Sequence, residues 1–298
     1  MSFSSDIKQE LNKSSDLANK EKVKYELVGY LLSGNMELEN NMKVIKFTTE
    51  SDYNINRFSK LLTNLNKNHK IEVAGKNFVI KLKVKEIEDL IRIINNVVSI
   101  NEELKNKILK QEKEENKKAI IRGSFMGAGS INNPENTYHL EIVFHNEENR
   151  DFIKEVLKDF QVNVKTIDVK NKKSIYLKEG EEISKLLALI GANKAVMKFE
   201  EIRIQREMRG KVNRLVNCET ANLNKTINAS IEQIAAIKKL QETGKFSKLD
   251  ENLKEIAILR LENPDIPFAD LGKMLKKPVG KSGVNYRLKK IMEIANEQ

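Results

Sequence analysis

The sequence has few of the residues on which several classes of protein depend. Among its 298 residues there are one cysteine, Cys218, four prolines and no tryptophan. A single cysteine can form neither an internal disulfide nor a cysteine-based metal cluster, which fits a reducing compartment. No run of about 18 apolar residues is present, so no membrane-spanning helix is expected. The first residues lack the apolar core of a secretory signal, and we therefore expect a cytoplasmic protein.

The composition is that of a folded protein with an excess of basic residues. Hydrophobic residues make up 40% of the chain and charged residues 32%, so the chain can bury substantial cores. Its length predicts about two domains. The formal net charge of +10 permits a polyanionic partner, although the position of the charge matters more than its sum.

Glycines four residues apart mark the segment that organises the N-terminal part of the chain. Residues 119–132 read AIIRGSFMGAGSIN, with Gly123 and Gly127 inside a helical pattern. A glycine weakens a helix interior by about 0.5–1 kcal/mol, so two glycines on one face need a reason, which is the close approach of a second helix. Residues 25–36, YELVGYLLSGNM, supply that partner, because Gly29 occupies the position of Gly123.

The order of predicted elements repeats on either side of a charge-dense stretch at 102–118. We interpret that stretch as a solvated helix or linker. An amphipathic helix at 2–13 comes first. After its glycine helix, the first copy is predicted to contain a strand at 42–49, a helix at 55–65, a hairpin of 71–74 with 78–84, and a helix at 87–97. The second copy is predicted to contain a strand at 138–145, a helix at 150–160, a hairpin of 162–169 with 174–177, and a helix at 183–190 that ends at Gly191. This repeat predicts an α+β domain with pseudo-two-fold symmetry.

The segment RGSFMGAGSI resembles the LAGLIDADG motif of homing endonucleases, and VGYLLSGNM resembles a degraded copy of it. The resemblance implies a pseudo-two-fold LAGLIDADG-like αββαββα repeat, with two sheets forming a saddle and the motif helices at the seam. It also implies a metal-binding carboxylate near the end of each motif helix, since Mg²⁺ prefers hard oxygen ligands. Those positions are Gly34 and Ala128, whose side chains cannot bind a metal. We therefore expect no catalytic residue, no metal, no cofactor and no enzymatic activity.

The saddle surface is a poor candidate for DNA, judged from the strand at 138–145. Alternate residues from Tyr138 to Phe144 form a core face, and the opposite face carries Glu141 with no Lys or Arg. Phosphate contacts normally come from Lys, Arg or neutral donors. His139 and His145 would lie about 20 Å apart in an extended strand, so they cannot share one metal.

Residues 199–230 leave the repeat behind and contain a cluster of basic side chains. The cluster comprises Arg203, Arg206, Arg209, Lys211 and Arg214. Both a solvated linker helix and a phosphate-contacting arm are compatible with it. We expect Cys218, in the same stretch, to be packed rather than reactive, because the sequence marks no general base beside it.

The C-terminal residues have the pattern of a helix-turn-helix domain. Helices are predicted at 231–243, ending at Gly244, at 253–261 and at 268–275. A break at 277–281 follows, with Ser282 as a good N-cap of the next helix. Val284, Leu288 and Ile291 form the buried stripe of that helix. Two short helices with a tight break predict a helix-turn-helix, and the three-helix segment resembles region 4 of bacterial sigma factors.

The charge of this motif favours a DNA partner. Between Leu271 and Met292 there are seven Lys or Arg residues and no acidic residue. In the major groove Asn pairs with adenine and Lys with guanine, and a helix N-terminus suits phosphates. The predicted DNA-binding residues are Lys273, Lys276, Lys277, Lys281, Ser282, Gly283, Asn285, Tyr286, Arg287, Lys289 and Lys290. The alternative is a three-helix interaction module with a basic face.

Taken together, these segments resemble the bacterial WhiA family over nearly the whole chain. The resemblance is carried by SINNPENTYHLEIV, YLKEGEEISKLLALIGA, NRLVNCETANLNKT and PVGKSGVNYRLKKI. It implies a non-catalytic, DNA-binding transcriptional regulator linked to cell division, chromosome segregation or sporulation. The expected boundaries are an N-terminal helix at 1–22, a degenerate LAGLIDADG-like domain at 23–206 with halves 23–100 and 119–206, a linker at 207–230 and a helix-turn-helix domain at 231–298.

The expected partner is double-stranded DNA, with other regulatory proteins as further partners and no membrane, and the expected location is the cytoplasm, at the nucleoid. Two alternatives remain. One is a metal-dependent nuclease or RNA maturase, and the other is a scaffold that uses the saddle to hold another protein.

Overall fold

A computed structural model describes residues 2–13, 17–34, 36–39, 41, 43–169 and 172–297 of the chain. The chain separates into two compact units, the first ending at Arg206 and the second beginning at Glu207. Within the described ranges, no helix is both long enough and apolar enough to cross a membrane.

The first unit contains two four-stranded antiparallel sheets with the same strand order. Its helices are α1 (Phe3–Lys13), α2 (Lys20–Ser33), α3 (Asp52–Asn64), α4 (Glu102–Gln111), α5 (Glu114–Ala128), α6 (Glu147–Lys158), α7 (Gly180–Leu189) and the beginning of α8 (Asn193–Glu242). Its strands are β1 (Met36–Glu39), β2 (Val44–Thr49), β3 (His69–Ala74), β4 (Asn77–Lys83), β5 (Ile91–Ile94), β6 (Val97–Ile100), β7 (Gly129–Ile131), β8 (Leu140–Phe144), β9 (Lys165–Val169) and β10 (Lys172–Leu177). The sheet orders β1-β2-β4-β3 and β7-β8-β10-β9 confirm the predicted α+β repeat.

The glycine helices α2 and α5 pack against each other, as predicted. A Cβ atom on Gly29 would lie 2.6 Å from the amide nitrogen of Ser124, and one on Gly123 would lie 2.9 Å from the carbonyl carbon of Glu26. Both would also overlap a main-chain oxygen of the facing helix. The Ser33 hydroxyl donates across the seam to the main-chain oxygen of Ser124 at 2.9 Å. The two helices therefore approach more closely than any residue other than glycine would allow.

A buried ion pair lies beside this seam. Arg57 of α3 donates from Nε and Nη2 to the two carboxylate oxygens of Glu26 of α2, at 2.7 and 2.8 Å. Both side chains are buried, and Arg122 of α5 lies 3.5 Å from the same carboxylate. The bidentate geometry offsets the cost of burying the charges. It also fixes how α3 and α5 sit against α2.

A buried amide joins the two halves at a second place. Asn149 of α6 donates to the main-chain oxygens of Val98 at 2.8 Å and Leu32 at 3.2 Å. Its side-chain oxygen accepts from the amide of Ile100 at 3.3 Å. The hairpin β5–β6 belongs to the first half in sequence but is thus bonded to a helix of the second half.

The prediction of a helix at 87–97 is wrong, and the two halves of the first unit differ at this point. The hairpin β5–β6 occupies most of that range, and its turn is made by Asn95 and Asn96, with φ of 49° and 61°. Asparagine adopts this left-handed conformation more readily than most residues, and the β-branched residues around it favour strands. A short apolar run does not by itself distinguish a helix from a buried strand. The second half has the helix α7 after its last strand instead.

Smaller differences concern the ends of the glycine helices. The short strands β1 and β7, which were not predicted by position, follow α2 and α5 almost directly. In the charge-dense stretch, α4 buries Leu104 and Ile108, so it is not wholly solvated. The predicted residue 42 of the first strand and the turn residues 170 and 171 lie outside the described residues.

Several predicted features are confirmed by the structure. Phe3, Ile7 and Leu11 of α1 are buried on one face. Gly75, at the turn between β3 and β4, has φ of 63°, and Gly191, just after α7, has φ of 83°. These positive φ values explain glycine at both positions, because residues with a side chain adopt them at a cost.

The second unit is helical. Its core is formed by α9 (Glu251–Glu262), α10 (Phe268–Lys273), α11 (Lys281–Asn296) and the C-terminal part of α8. The predicted stripe of Val284, Leu288 and Ile291 is buried in this core.

The part of α8 that lies in the second unit differs from the prediction. No helix begins at 231, because α8 is continuous from Asn193, and Ile231 itself is exposed. Further along α8, Ile237 and Leu240 are buried as predicted. Cys218 is exposed on α8, so the packed position expected for it is wrong.

Candidate nucleic-acid interface

The turn between α10 and α11 is held by glycines. The amide of Val279 donates to the main-chain oxygen of Gly272 at 3.1 Å. A Cβ atom on Gly272 would overlap the main-chain oxygen of Val279, and one on Gly283 would lie 3.1 Å from the Val279 side chain. The two helices therefore meet closely, as in a helix-turn-helix. Gly272 was not singled out from the sequence, although a glycine inside so short a helix is a recognisable signal.

The prediction that Ser282 is the N-cap of α11 is wrong. Gly280 is the N-cap, because its main-chain oxygen accepts from the amides of Gly283 at 2.9 Å and Val284 at 3.2 Å. Ser282 lies inside the first turn, with its side chain exposed. The main-chain N–H groups at this helix start point away from the helix body, and such groups favour anions.

The helix α11 has two distinct faces. Its buried stripe continues beyond the predicted residues to Ala295. At 3.6 residues per turn, Ser282, Tyr286 and Lys289 lie on the opposite side, and all three are exposed. Tyr286 is 66% exposed, which leaves its ring available to a partner.

The predicted contact residues occupy α10, the turn and α11 in succession. The exposed ones are Lys273, Lys276, Lys277, Lys281, Ser282, Asn285, Tyr286, Lys289 and Lys290, and the half-buried ones are Gly283 and Arg287. Gly283 has a packing role against Val279. The other side chains form a surface that is polar and mostly basic.

Acidic groups from neighbouring positions reduce the charge of this surface. Lys273 pairs with Asp270 at 2.7 Å, and Lys289 lies 4.0 Å from Glu293. Glu293 follows directly after the acid-free stretch identified in the sequence. The carboxylate of Glu255 on α9 accepts from the main-chain amide of Lys276 at 2.6 Å. The basic face is therefore less uniform than the sequence count suggested.

A buried arginine fixes the connection that leads into α10. Nη1 of Arg260 donates to the main-chain oxygens of Asn263, Pro264 and Ile266 at 3.3, 3.2 and 2.9 Å. Its guanidinium also lies 5.4 Å from the ring centre of Phe268. Burial lowers the pKa of Arg260 below its ordinary value. This role was not predicted from the sequence, because an arginine near a helix end normally points into solvent.

The predicted positions of the lost metal ligands lie at the ends of the glycine helices. Gly34 directly follows α2, and Ala128 is the last residue of α5. The ring of His145 is hydrogen-bonded through Nε2 to the main-chain oxygen of Gly34. No three or more His, Cys, Asp or Glu side chains of the described residues are placed to hold a metal ion.

The outward face of the second sheet is formed by several strands, and β10 adds side chains that the sequence of β8 alone does not show. Glu141 of β8 accepts from Ser174 at 2.7 Å and from Lys172 at 2.9 Å, both of β10. Burial alone would raise the pKa of Glu141, but these hydrogen bonds and the lysine charge hold it below its ordinary value. The outward face thus includes Lys172, whose charge neutralises that of Glu141. The prediction considered the strand at 138–145 alone and therefore missed this lysine. His139 stacks on Tyr176 at 6.0 Å, so it contacts a different group from His145.

Side chains of the basic cluster on α8 make contacts within the chain. Arg203 pairs with Glu200 at 2.9 Å, and Lys211 pairs with Glu207 at 2.8 Å. Arg206 stacks on the ring of Tyr138 at 4.5 Å and donates to a main-chain oxygen of the first unit. These contacts favour the structural interpretation of this cluster over a phosphate-contacting arm.

Comparison with known proteins agrees with both units. A family model described as "WhiA LAGLIDADG-like domain" matches residues 117–209, and one described as "WhiA C-terminal HTH domain" matches residues 212–295. The chain is 40% identical to a protein of Clostridium acetobutylicum named "Probable cell division protein WhiA", over all of this chain and 98% of that protein.

Two solved structures are also similar. The full-length DUF199/WhiA protein from Thermatoga maritima shares 29% identity with a TM-score of 0.60, over 99% of this chain and 98% of that one. The N-terminal LAGLIDADG domain of DUF199/WhiA shares 25% identity with a TM-score of 0.50, over 64% of this chain and 93% of that one. The chain has a LAGLIDADG-like domain followed by a helix-turn-helix domain, and its sequence is similar to WhiA proteins across the full length. We conclude that the chain belongs to the WhiA family of cell division proteins.

Proposed function

We propose that this protein is a non-catalytic transcriptional regulator that binds double-stranded DNA through α10 and α11 and acts at the nucleoid in the cytoplasm. The observation that carries the proposal is the exposed polar and basic face of α11, opposite its buried stripe. A helix of this kind, held by a tight turn to a preceding helix, fits the major groove. Relatives of this chain are named as probable cell division proteins, which supports a role in cell division, and we propose chromosome segregation or sporulation alongside it.

The residues divide into readers and phosphate contacts. We assign base reading to Asn285, Tyr286 and Lys289, which project from the exposed side of α11. The first N–H groups of α11, with Lys281 and Ser282, are suited to a phosphate at the helix N-terminus. We assign further phosphate contacts to the remaining basic side chains of this surface, namely Lys273, Lys276, Lys277, Arg287 and Lys290.

Replacing Lys276 and Lys277 together by alanine tests the phosphate assignment. We expect weaker binding to all DNA sequences, with the slope of log affinity against log salt concentration reduced by about 1.8, since each lost phosphate contact contributes about 0.9. Fluorescence anisotropy with labelled duplexes at several salt concentrations measures this slope. The matched control replaces Lys238 and Lys239, two adjacent exposed lysines on α8. An unchanged slope in the Lys276/Lys277 variant would show that these two lysines of the turn make no phosphate contacts.

The proposal that the protein is not an enzyme rests on Gly34 and Ala128, which offer no carboxylate at the ends of the glycine helices. We expect supercoiled plasmid to remain intact after incubation with Mg²⁺ or Mn²⁺. Gel electrophoresis of the plasmid, with an active homing endonuclease as positive control, measures nicking and linearisation. Metal-dependent cleavage that co-purifies with the protein and disappears on heat denaturation would instead support the nuclease alternative.

The interaction alternative has one observation in its favour. Ile167 and Val169 of the edge strand β9 are exposed and lie on the same sheet face as Val143. Exposed β-branched residues on an edge strand are typical of surfaces that bind another chain. A role in holding other regulatory proteins is compatible with DNA binding by the second unit, and the two activities occupy different surfaces.

A further inference from the structure

A cleft in the second unit lies between the segment that precedes α9 and the C-terminal half of α11. Its volume is about 480 Å³, and all the residues that line it belong to the second unit. The apolar part of the lining consists of Leu249, Leu253 and Ile294. Lysines from both elements complete the lining, and we call them the cleft lysines: Lys245, Lys248 and Lys290.

The local backbone holds two of the cleft lysines on the same side. Lys245–Lys248 forms a short 3-10 helix, which begins after Gly244, a residue with φ of 70°. Side chains three residues apart in a 3-10 helix eclipse each other, so Lys245 and Lys248 project in the same direction. Nζ of Lys245 donates to the main-chain oxygen of Glu297 at 2.8 Å. This bond ties the 3-10 helix to the end of α11, so the lysines of the two elements stay close together.

The acidic residues at the cleft do not neutralise these lysines. The carboxylate of Asp250 is the N-cap of α9 and accepts from the amide of Leu253 at 3.0 Å. Glu297 also lines the cleft, but it contacts Lys245 through its main-chain oxygen. Among the described residues, none of the cleft lysines forms an ion pair with a carboxylate. Like charges that line one cleft repel each other, and an anion from outside the chain relieves this repulsion.

We propose that the cleft lysines bind the DNA backbone on the side of the major groove opposite to the turn between α10 and α11. Lys281 and Lys290 are nine residues apart on α11, which is about 14 Å along the helix axis, and the major groove is about 12 Å wide. A helix that lies across this groove brings its two ends to opposite backbones. Lys290 directly follows Lys289 of the proposed reading surface, so the cleft is continuous with that surface. The inference rests on the proposed function and adds Lys245 and Lys248, which were not predicted from the sequence.

Replacing Lys245 and Lys248 together by alanine in the full-length protein tests this contact. We expect weaker binding to preferred and unrelated duplexes alike, with the slope of log affinity against log salt concentration reduced by about 1.8, or about 0.9 for each lysine. Combined with the replacement of Lys276 and Lys277, the reduction should reach about 3.6, because the two sets of lysines contact different phosphates. Lys248→Arg keeps the charge and should keep the slope. If circular dichroism shows that the double variant is unfolded, Lys248→Ala alone should still reduce the slope by about 0.9.

The outcomes separate this inference from the proposed function. An unmodified protein that binds duplex DNA, with an unchanged slope in the folded Lys245/Lys248 variant, would overturn the inference alone. An unmodified protein that does not bind duplex DNA would overturn the proposed function and the inference with it.

Ethylation interference tests the placement on opposite sides of the groove. In this experiment single phosphates of the preferred duplex are ethylated, and those whose ethylation prevents binding are identified. We expect the Lys245/Lys248 variant to become insensitive to one set of phosphates and the Lys276/Lys277 variant to another set, with the two sets facing each other across the major groove. Insensitivity of both variants to the same phosphates would overturn this placement.

Discussion

Gly123→Ala is expected to lower the free energy of unfolding of the first unit by about 3 kcal/mol, at the upper end of the range for overpacked sites. The added Cβ would lie 2.9 Å from the carbonyl carbon of Glu26 and would overlap its oxygen. These are main-chain atoms, which cannot rotate away as a side chain can. The helices α2 and α5 must therefore separate, which loosens the seam and the buried pair of Glu26 with Arg57. Because the chain lacks tryptophan, urea unfolding is best followed by far-UV circular dichroism.

The matched control for this substitution is Gly210→Ala, which also replaces a glycine inside a helix. There the added Cβ would meet only Nη1 of Arg214, at 3.5 Å, which is an ordinary contact. We expect this variant to be more stable by about 0.5–1 kcal/mol, since alanine favours helix. A Gly123→Ala variant that unfolds at the same urea concentration as the unmodified protein would show that the seam tolerates a wider separation.

Replacing Asn285 and Lys289 together by alanine is expected to reduce the discrimination between preferred and unrelated DNA by about 30-fold or more. Each bidentate contact to a base contributes about 1–3 kcal/mol of discrimination. The preferred sequence is first selected from random duplexes, and discrimination is the ratio of the two dissociation constants. Both side chains are exposed, so the fold should be retained.

The control for this pair is Asn252→Ala with Lys254→Ala, which removes the same residue types from α9. The control should keep the discrimination of the unmodified protein. Unlike the Lys276/Lys277 variant, which is expected to lose affinity for all sequences, the Asn285/Lys289 variant should keep most of its affinity for unrelated DNA. If its discrimination were unchanged, α11 would not be the reading helix.

The sequence was informative where a local pattern has only one good structural explanation. Gly123 and Gly127, four residues apart on one helix face, predicted close packing against the helix that contains Gly29, since glycines in that arrangement have little other use. The period of Val284, Leu288 and Ile291 likewise predicted the buried side of α11. The family resemblance, carried by whole segments, predicted the αββαββα order better than the separate strand assignments did.

The sequence was uninformative where the outcome depends on distant contacts. The run at 87–97 is apolar enough for either a helix or a hairpin, and the bond from Asn149 to Val98 helps to hold the hairpin. Ser282 is a good N-cap by type, but the N-cap of α11 is Gly280, two residues earlier. The burial of Arg260 depends on three main-chain oxygens that come together only in the folded domain. The candidate DNA-binding residues remain predictions in their individual roles.

The buried amide of Asn149 has a consequence for the evolution and redesign of the repeat. Its partners in β6 come from a hairpin present in the first half, whereas the second half has α7 after its last strand. A symmetrised protein built from two second halves would bury two such amides without β6, at about 1–3 kcal/mol for each unsatisfied group. The two halves have thus become complementary parts rather than interchangeable modules. A return to a symmetric ancestor would require repacking of α6 and not only a repeat of the glycine helix.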